Sequence, residues 1–259
     1  MLGDSQLNLV KEIRFAWHLL YKPIRGTTHQ ERLECFYRGQ AVEYDRRRQN
    51  MLHGREDLYR DLLPPLNGIW LDMGGGTGGN LEPVDDRLPS LRKVYIVDLS
   101  SSMLDVARRR IAERNWKNVS VIQADMAEFV PPEGPVDLVT FSYSLTMTPN
   151  WFDAITHAFN LLRPGGLIGV TDYYVSQKFP GPGMCRHNAW TRTFWPMWFG
   201  MRNVHPSPDH LPCLQQHFEQ VTLQEGTSPV ALMPGFRIPF YRFIGRKSLH
   251  SRTSPVLSS

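Results

Sequence analysis

Apolar residues gather in short unbroken runs through the middle of this 259-residue chain: "IWLDMG" (69–74), "KVYIVDLS" (93–100), "VSVIQADM" (119–126), "VDLVTFSYSL" (136–145) and "GLIGVTDYYV" (166–175). Runs of this length, rich in β-branched residues, predict strands buried on both faces, as in a parallel sheet covered by helices on each side. Between them the pattern predicts a short, proline-interrupted helix after the first strand, a regular helix from about Ser102 to Arg114 and another from about Trp151 to Leu162. Strand and helix in alternation give an α/β, doubly wound fold. "QVTLQEGT" (220–227) and "PFYRFIGRK" (239–247) add an antiparallel edge pair, which brings the sheet to seven strands.

Three stretches fall outside this alternation. Residues 5–25 read as a helix that mixes Phe15, Trp17 and Leu20 with Lys11, Arg14 and Lys22, ended by Pro23 and Gly26. It either packs on the main domain or lies at a membrane interface. The segment from Tyr173 to His217 is too long for a bare connection and holds Trp190, Trp195 and Trp198, so it predicts an aromatic-rich insertion after strand five. Residues 248–259 read as a flexible tail. The expected organisation is an N-terminal helical extension and cofactor-closing segment over 1–60, followed by the sheet domain over 61–247.

Composition narrows the class. No apolar window is long enough to span a bilayer, and Lys11, Glu12 and Arg14 break the pattern of a secretory leader. Three cysteines without a CxxC pair argue against a disulfide framework or a zinc site and favour a reducing compartment. The net charge of +4 is concentrated: neither the span from Arg186 to Arg202 nor the chain from Arg237 onward contains an acid. Such patches favour anionic partners, and without nucleic-acid motifs a membrane surface fits better.

The chemistry sits in "WLDMGGGTGGN" (70–80), a glycine-rich turn that leads out of the first strand. Gly74-x-Gly76-x-x-Gly79 has the spacing of a dinucleotide loop, and Asp98, ending strand two, could accept hydrogen bonds from ribose hydroxyls. Asp72 separates the ligands. A pyrophosphate pressed on this loop would meet a carboxylate of like charge, whereas a sulfonium and an ammonium would be welcomed by it.

Overlapping the dinucleotide pattern is Asp72-x-Gly74-x-Gly76-x-Gly78, which resembles the first motif of class I methyltransferases that use S-adenosylmethionine. "DLSSSML", "QADM" and "LLRPGG" come next, in the order of that superfamily. The resemblance implies a cofactor site of Tyr44, Asp72, Gly74, Gly76, Asp98, Met103, Asp125, Met126 and Ser142, with Met103 packed on adenine and Asp125 accepting from its amino group. Tyr37, Tyr44 and Arg48 fall on the segment that closes over the cofactor in related enzymes.

"FYRGQAVEYDRRRQNMLHGRE" (36–56), "FSYSLTMTPNWFDAI" (141–155) and "TRTFWPMWFGMRNVHPSPDHLP" (191–212) together look like the methyltransferase part of betaine lipid synthase. This implies methylation of the amine of diacylglyceryl-homoserine to its trimethyl form, at a membrane surface. The expected location is cytoplasmic and peripherally membrane-bound, in a eukaryote at the endoplasmic reticulum. An aminocarboxypropyl transferase, separate or fused, would supply the homoserine lipid. Tyr143, Asp172 and Tyr173 are the candidates to orient the amine or pass its proton, and His187, Arg192 and His210 to hold the acceptor's carboxylate. No metal is expected. The rival readings are methylation of phosphatidylethanolamine or a polyprenylated quinone, a non-catalytic scaffold that binds the cofactor, and, disfavoured by Asp72, a nicotinamide oxidoreductase.

Overall fold

The computed structural model describes residues 25–48, 52–62, 64–230 and 235–249. The helix expected over 5–25 lies, but for its last residue, outside them.

Among the described residues three α-helices precede the sheet: α1 (His29–Tyr37), α2 (Tyr44–Arg48) and α3 (Arg55–Asp61). A capping box starts α1, with Thr28 Oγ1 accepting from the Glu31 amide at 3.1 Å and the Glu31 carboxylate accepting from the Thr28 amide at 3.3 Å. Then come β1 (Ile69–Met73), β2 (Lys93–Asp98), α4 (Ser101–Arg114), β3 (Val119–Gln123), β4 (Val136–Ser142), α5 (Trp151–Leu161) and β5 (Leu162–Tyr173). The chain continues through α6 (Ala189–Gly200), α7 (His210–His217), β6 (Glu219–Pro229) and β7 (Arg237–Arg246). The expected insertion thus carries two helices. Between β1 and β2 a 3-10 stretch, Gly79–Ser90, takes the place of a regular helix because Pro83 and Pro89 interrupt it.

The sheet runs β3-β2-β1-β4-β5-β7-β6, parallel from β3 to β5. β7 enters antiparallel to β5, and β6 pairs with its outer side. The fold is the seven-stranded α/β sheet the sequence predicts, except that "LLRPGG" is not a separate turn. Its last five residues belong to β5, and the Gly165 amide donates to the Lys247 carbonyl at 2.8 Å.

β1 is central and wholly buried. Its pleat sends Ile69, Leu71 and Met73 into a core shared with Ile155, Ala158 and Leu214, and Trp70 into a second core with Tyr59, Leu81, Leu104 and Ala107. The reversal of strand order between β1 and β4 opens a crevice at the carboxyl ends of the strands, where ligands bind in folds of this kind.

Candidate active site

The glycine loop turns sharply out of β1 because Gly74, Gly76 and Gly78 adopt φ of 69°, 55° and 72°, a left-handed region that glycine enters without steric cost. At Gly74 a Cβ would also strike Ser144 at 2.4 Å. The loop's N–H groups are turned inward. Gly74 and Gly75 donate to the Val97 carbonyl at 2.8 and 3.2 Å, Gly78 to the Gly75 carbonyl at 3.0 Å and Gly79 to Thr77 Oγ1 at 3.4 Å. The Gly76 amide donates to Asp98 Oδ2 at 3.0 Å, and the Ser100 amide holds the other Asp98 oxygen at 2.8 Å. Burial raises the Asp98 pKa to about 6.

Above this loop lies a cavity whose wall includes Tyr44, Gly74, Gly76, Asp98, Met103, Asp125, Met126, Ser142 and Tyr143 from the predicted set. Ser142 Oγ is buried and has no hydrogen-bond partner among the described residues. Asp125 Oδ1 accepts from the Ala127 amide at 2.8 Å. Helix α1 and the segment after it form the roof through His29, Leu33, Tyr37 and Tyr44, and Tyr37 donates its hydroxyl to the Met147 sulfur at 2.9 Å. One carboxylate fastens this roof to the loop: Asp45 accepts from Arg110 and from Thr77 Oγ1, each at 2.7 Å. Arg48 belongs to α2.

Asp72 is not at the mouth of the site. The pleat of β1 points it to the same side as Trp70, under the loop and out of the cavity. There it accepts from Tyr59 Oη and Thr140 Oγ1, both at 2.7 Å, and from Asn80 Nδ2 at 3.0 Å. Burial raises its pKa, opposed by these three donors. A Cβ on Gly75 would meet its carboxylate at 2.6 Å, so Asp72 supports the loop from below.

Asp172 and Tyr173 are likewise behind the wall. Asp172 is fully buried and accepts from Thr146 Oγ1 at 2.7 Å, the Thr146 amide at 3.1 Å and the Tyr173 amide at 2.8 Å. Burial raises its pKa to about 7. It fixes the turn that carries Met147 and does not line the cavity. Tyr143 does line the cavity, in a left-handed conformation at φ 54°, and donates its hydroxyl to the His53 carbonyl at 2.7 Å. Burial raises its pKa well above the ordinary tyrosine value, so the phenol keeps its proton and can orient an amine but not deprotonate it. Tyr173 packs its ring edge on Tyr143 at 4.7 Å.

The expected carboxylate trio is not assembled. His210 is fully buried beside Trp151 and Tyr241, neither ring nitrogen has a partner, and burial lowers its pKa to about 3. His187 Nδ1 accepts from the Ser176 amide at 2.9 Å, and its ring packs on Tyr174. Arg192, on α6, has a buried Nε with no partner. None of the three lines the cavity.

Residues that sequence reasoning passed over complete the site: His29, Leu52, Arg55, Thr77, Asn80, Ser144, Met147 and Thr148. Arg55 is the arginine of the wall, 3.9 Å from Asp45 with its side chain 16% exposed. The Thr28-x-x-Glu31 capping box would have located α1, and with it His29 and Leu33.

Residues 71–166 match the methyltransferase-domain family. A putative methyltransferase from Bacillus halodurans superposes with a TM-score of 0.60 at 18% identity, over 75% of this chain and 99% of that one. The chain has a methyltransferase fold. The domain also superposes on a phosphoethanolamine N-methyltransferase from Haemonchus contortus, bound to phosphomonomethylethanolamine and S-adenosylhomocysteine, with a TM-score of 0.62 at 15% identity over 86% of this chain and 61% of that one. In sequence, a ubiquinone/menaquinone biosynthesis C-methyltransferase from Pseudomonas savastanoi pv. phaseolicola is 26% identical over 162 residues. That alignment takes in 60% of this chain and 63% of the relative, so the chain spans just over three fifths of that relative's length.

The cavity fits S-adenosylmethionine by donor set. Asp98 can take ribose hydroxyls, Met103 and Leu99 can cover an adenine face beside Asp125, and Arg55 can hold a carboxylate.

Proposed function

We propose that this protein is an S-adenosylmethionine-dependent N-methyltransferase that converts diacylglyceryl-homoserine to diacylglyceryl-trimethylhomoserine. The observation that carries the cofactor half is the inward bonding of the loop amides. With Gly74, Gly75, Gly76, Gly78 and Gly79 all donating inside the protein, these loop amides are turned away from a pyrophosphate, and Asp98 stands where a ribose would be read. This replaces the charge argument from Asp72 as the reason to prefer an adenosyl sulfonium over a dinucleotide.

The bound cofactor supplies an electrophilic methyl group. The chain's own task is to bring a neutral amine to about 3 Å from it, in line, and to exclude water. Tyr37, Tyr44 and Tyr143 give the cavity aromatic faces that favour the growing positive charge of a quaternary ammonium. Tyr143 orients the amine through a phenol oxygen lone pair, its proton being held by the His53 carbonyl. The homoserine headgroup comes from a prior aminocarboxypropyl transfer, made by another protein or another part of a fused synthase.

A second reading, C-methylation of a polyprenylated quinone, is favoured by the Pseudomonas relative. The deciding experiment offers labelled S-adenosylmethionine with diacylglyceryl-homoserine, phosphatidylethanolamine and a demethylated quinone in competition, and identifies the labelled lipid by mass. Label in the homoserine lipid alone supports the proposal. Label in the quinone moves the assignment to carbon, and cofactor binding without turnover on any lipid points to a scaffold.

A further inference from the structure

We propose that α6, with the start of β7, is a docking face for a bilayer containing anionic phospholipid. The inference rests on the lipid-acceptor reading for its purpose and on the surface itself for its evidence.

Helix α6 is apolar on two sides. Its inner side buries Trp195 completely and sets Phe199 5.6 Å from Tyr173, which in turn packs on Tyr143 of the cavity wall. Its outer side is largely uncovered among the described residues: Trp190 is 52% exposed, Met197 69% and Met201 66%. These three recur at i, i+7 and i+11 and so form one stripe along the helix and its C-cap, Met201. Trp190 stacks flat on Phe194 at 4.4 Å, and both rings pack against Phe236, just before β7, at 5.8 and 5.9 Å. Aromatic and methionine side chains held outward this way mark a contact surface rather than scattered exposure.

Charge selects the occupant. No Asp or Glu occurs between Arg186 and Pro208, and none occurs after Glu225 to the end of the chain. The two acid-free stretches meet where Trp190 touches Phe236, and Arg237 is exposed beside that contact. Tryptophan and phenylalanine among arginines, on two stretches of chain without an acid, complement the headgroup region of an anionic bilayer. The face also backs the aromatic wall of the cavity, so a lipid lying against it would have its headgroup near the site.

The test is flotation of the whole protein with phosphatidylcholine–phosphatidylglycerol vesicles that contain no acceptor lipid. Wild type should float at low salt, lose binding at high salt, and fail to float with phosphatidylcholine alone. The double variant Met197→Ser/Met201→Ser, which leaves the stacked Trp190 in place, should bind at least about tenfold more weakly, with unchanged calorimetric affinity for S-adenosylhomocysteine and an unchanged melting temperature. Equal flotation of variant and wild type, absence of wild-type binding, or equal binding to neutral vesicles would overturn the inference. So would a dimer in sedimentation equilibrium that the double variant dissolves, because a second copy would then be the occupant. Methyl transfer to short-chain diacylglyceryl-homoserine in detergent reads the acceptor separately, so either proposal can fail while the other stands.

Discussion

The phenol of Tyr59 donates to the Asp72 carboxylate at 2.7 Å in a pocket closed to solvent, tying α3 to β1 beneath the glycine loop. Tyr59→Phe keeps the packing of the ring on Trp70 and removes one of three donors to a buried carboxylate. The expected loss is about 1–3 kcal/mol of stability, read as a lower urea midpoint with an unchanged slope. A midpoint equal to wild type would show that Asp72 does not depend on this donor.

Asp172 sets a pH dependence. Its folded pKa of about 7 is raised by burial above the ordinary aspartate value of 3.8. The stability that the protonated group contributes is therefore complete below about pH 4 and is lost as pH rises through about 7. Asp172→Asn cannot ionise. Between pH 4 and 7 wild type should lose, relative to this variant, stability on the order of a few kcal/mol. Urea titrations across the range measure it, and parallel curves would place the ionised form comfortably in the fold.

Asp98 holds the Gly76 and Ser100 amides and faces the cavity. Asp98→Ala should weaken cofactor binding by about 1–3 kcal/mol, measured by calorimetry with S-adenosylhomocysteine. Unchanged affinity would remove Asp98 from the ribose role.

Arg55→Gln separates binding of the amino-acid end from binding of the nucleoside. Affinity for S-adenosylhomocysteine should fall about tenfold or more, as for loss of a charge-assisted bond, while affinity for 5′-methylthioadenosine, which has no carboxylate, should hold. Equal losses for both ligands would mean that Arg55 serves the local fold through Asp45 instead.

Local pattern carried most of the architecture. The five parallel strands are apolar runs of their own, and Pro83 and Pro89 pointed to an interrupted helix after β1. The spacing of Gly74, Gly76 and Gly78 marked a tight turn because glycine takes those φ values without steric cost, and Asp98 and Asp125 were legible as acids at the carboxyl ends of strands two and three, Asp125 falling two residues past β3. The face taken by each side chain was not legible. Alternation along β1 makes Trp70 and Asp72 neighbours on one side, but which side lies under the loop depends on Tyr59, Asn80 and Thr140, brought together from three other segments. The same holds for His187, Arg192 and His210, close in sequence yet turned to different environments by α6 and α7, and for Arg55, whose place on the cavity wall is set by where α3 packs. Periodicity is a property of neighbouring residues and so survives in the sequence. Burial and partnership are long-range, decided only when the layers close on one another.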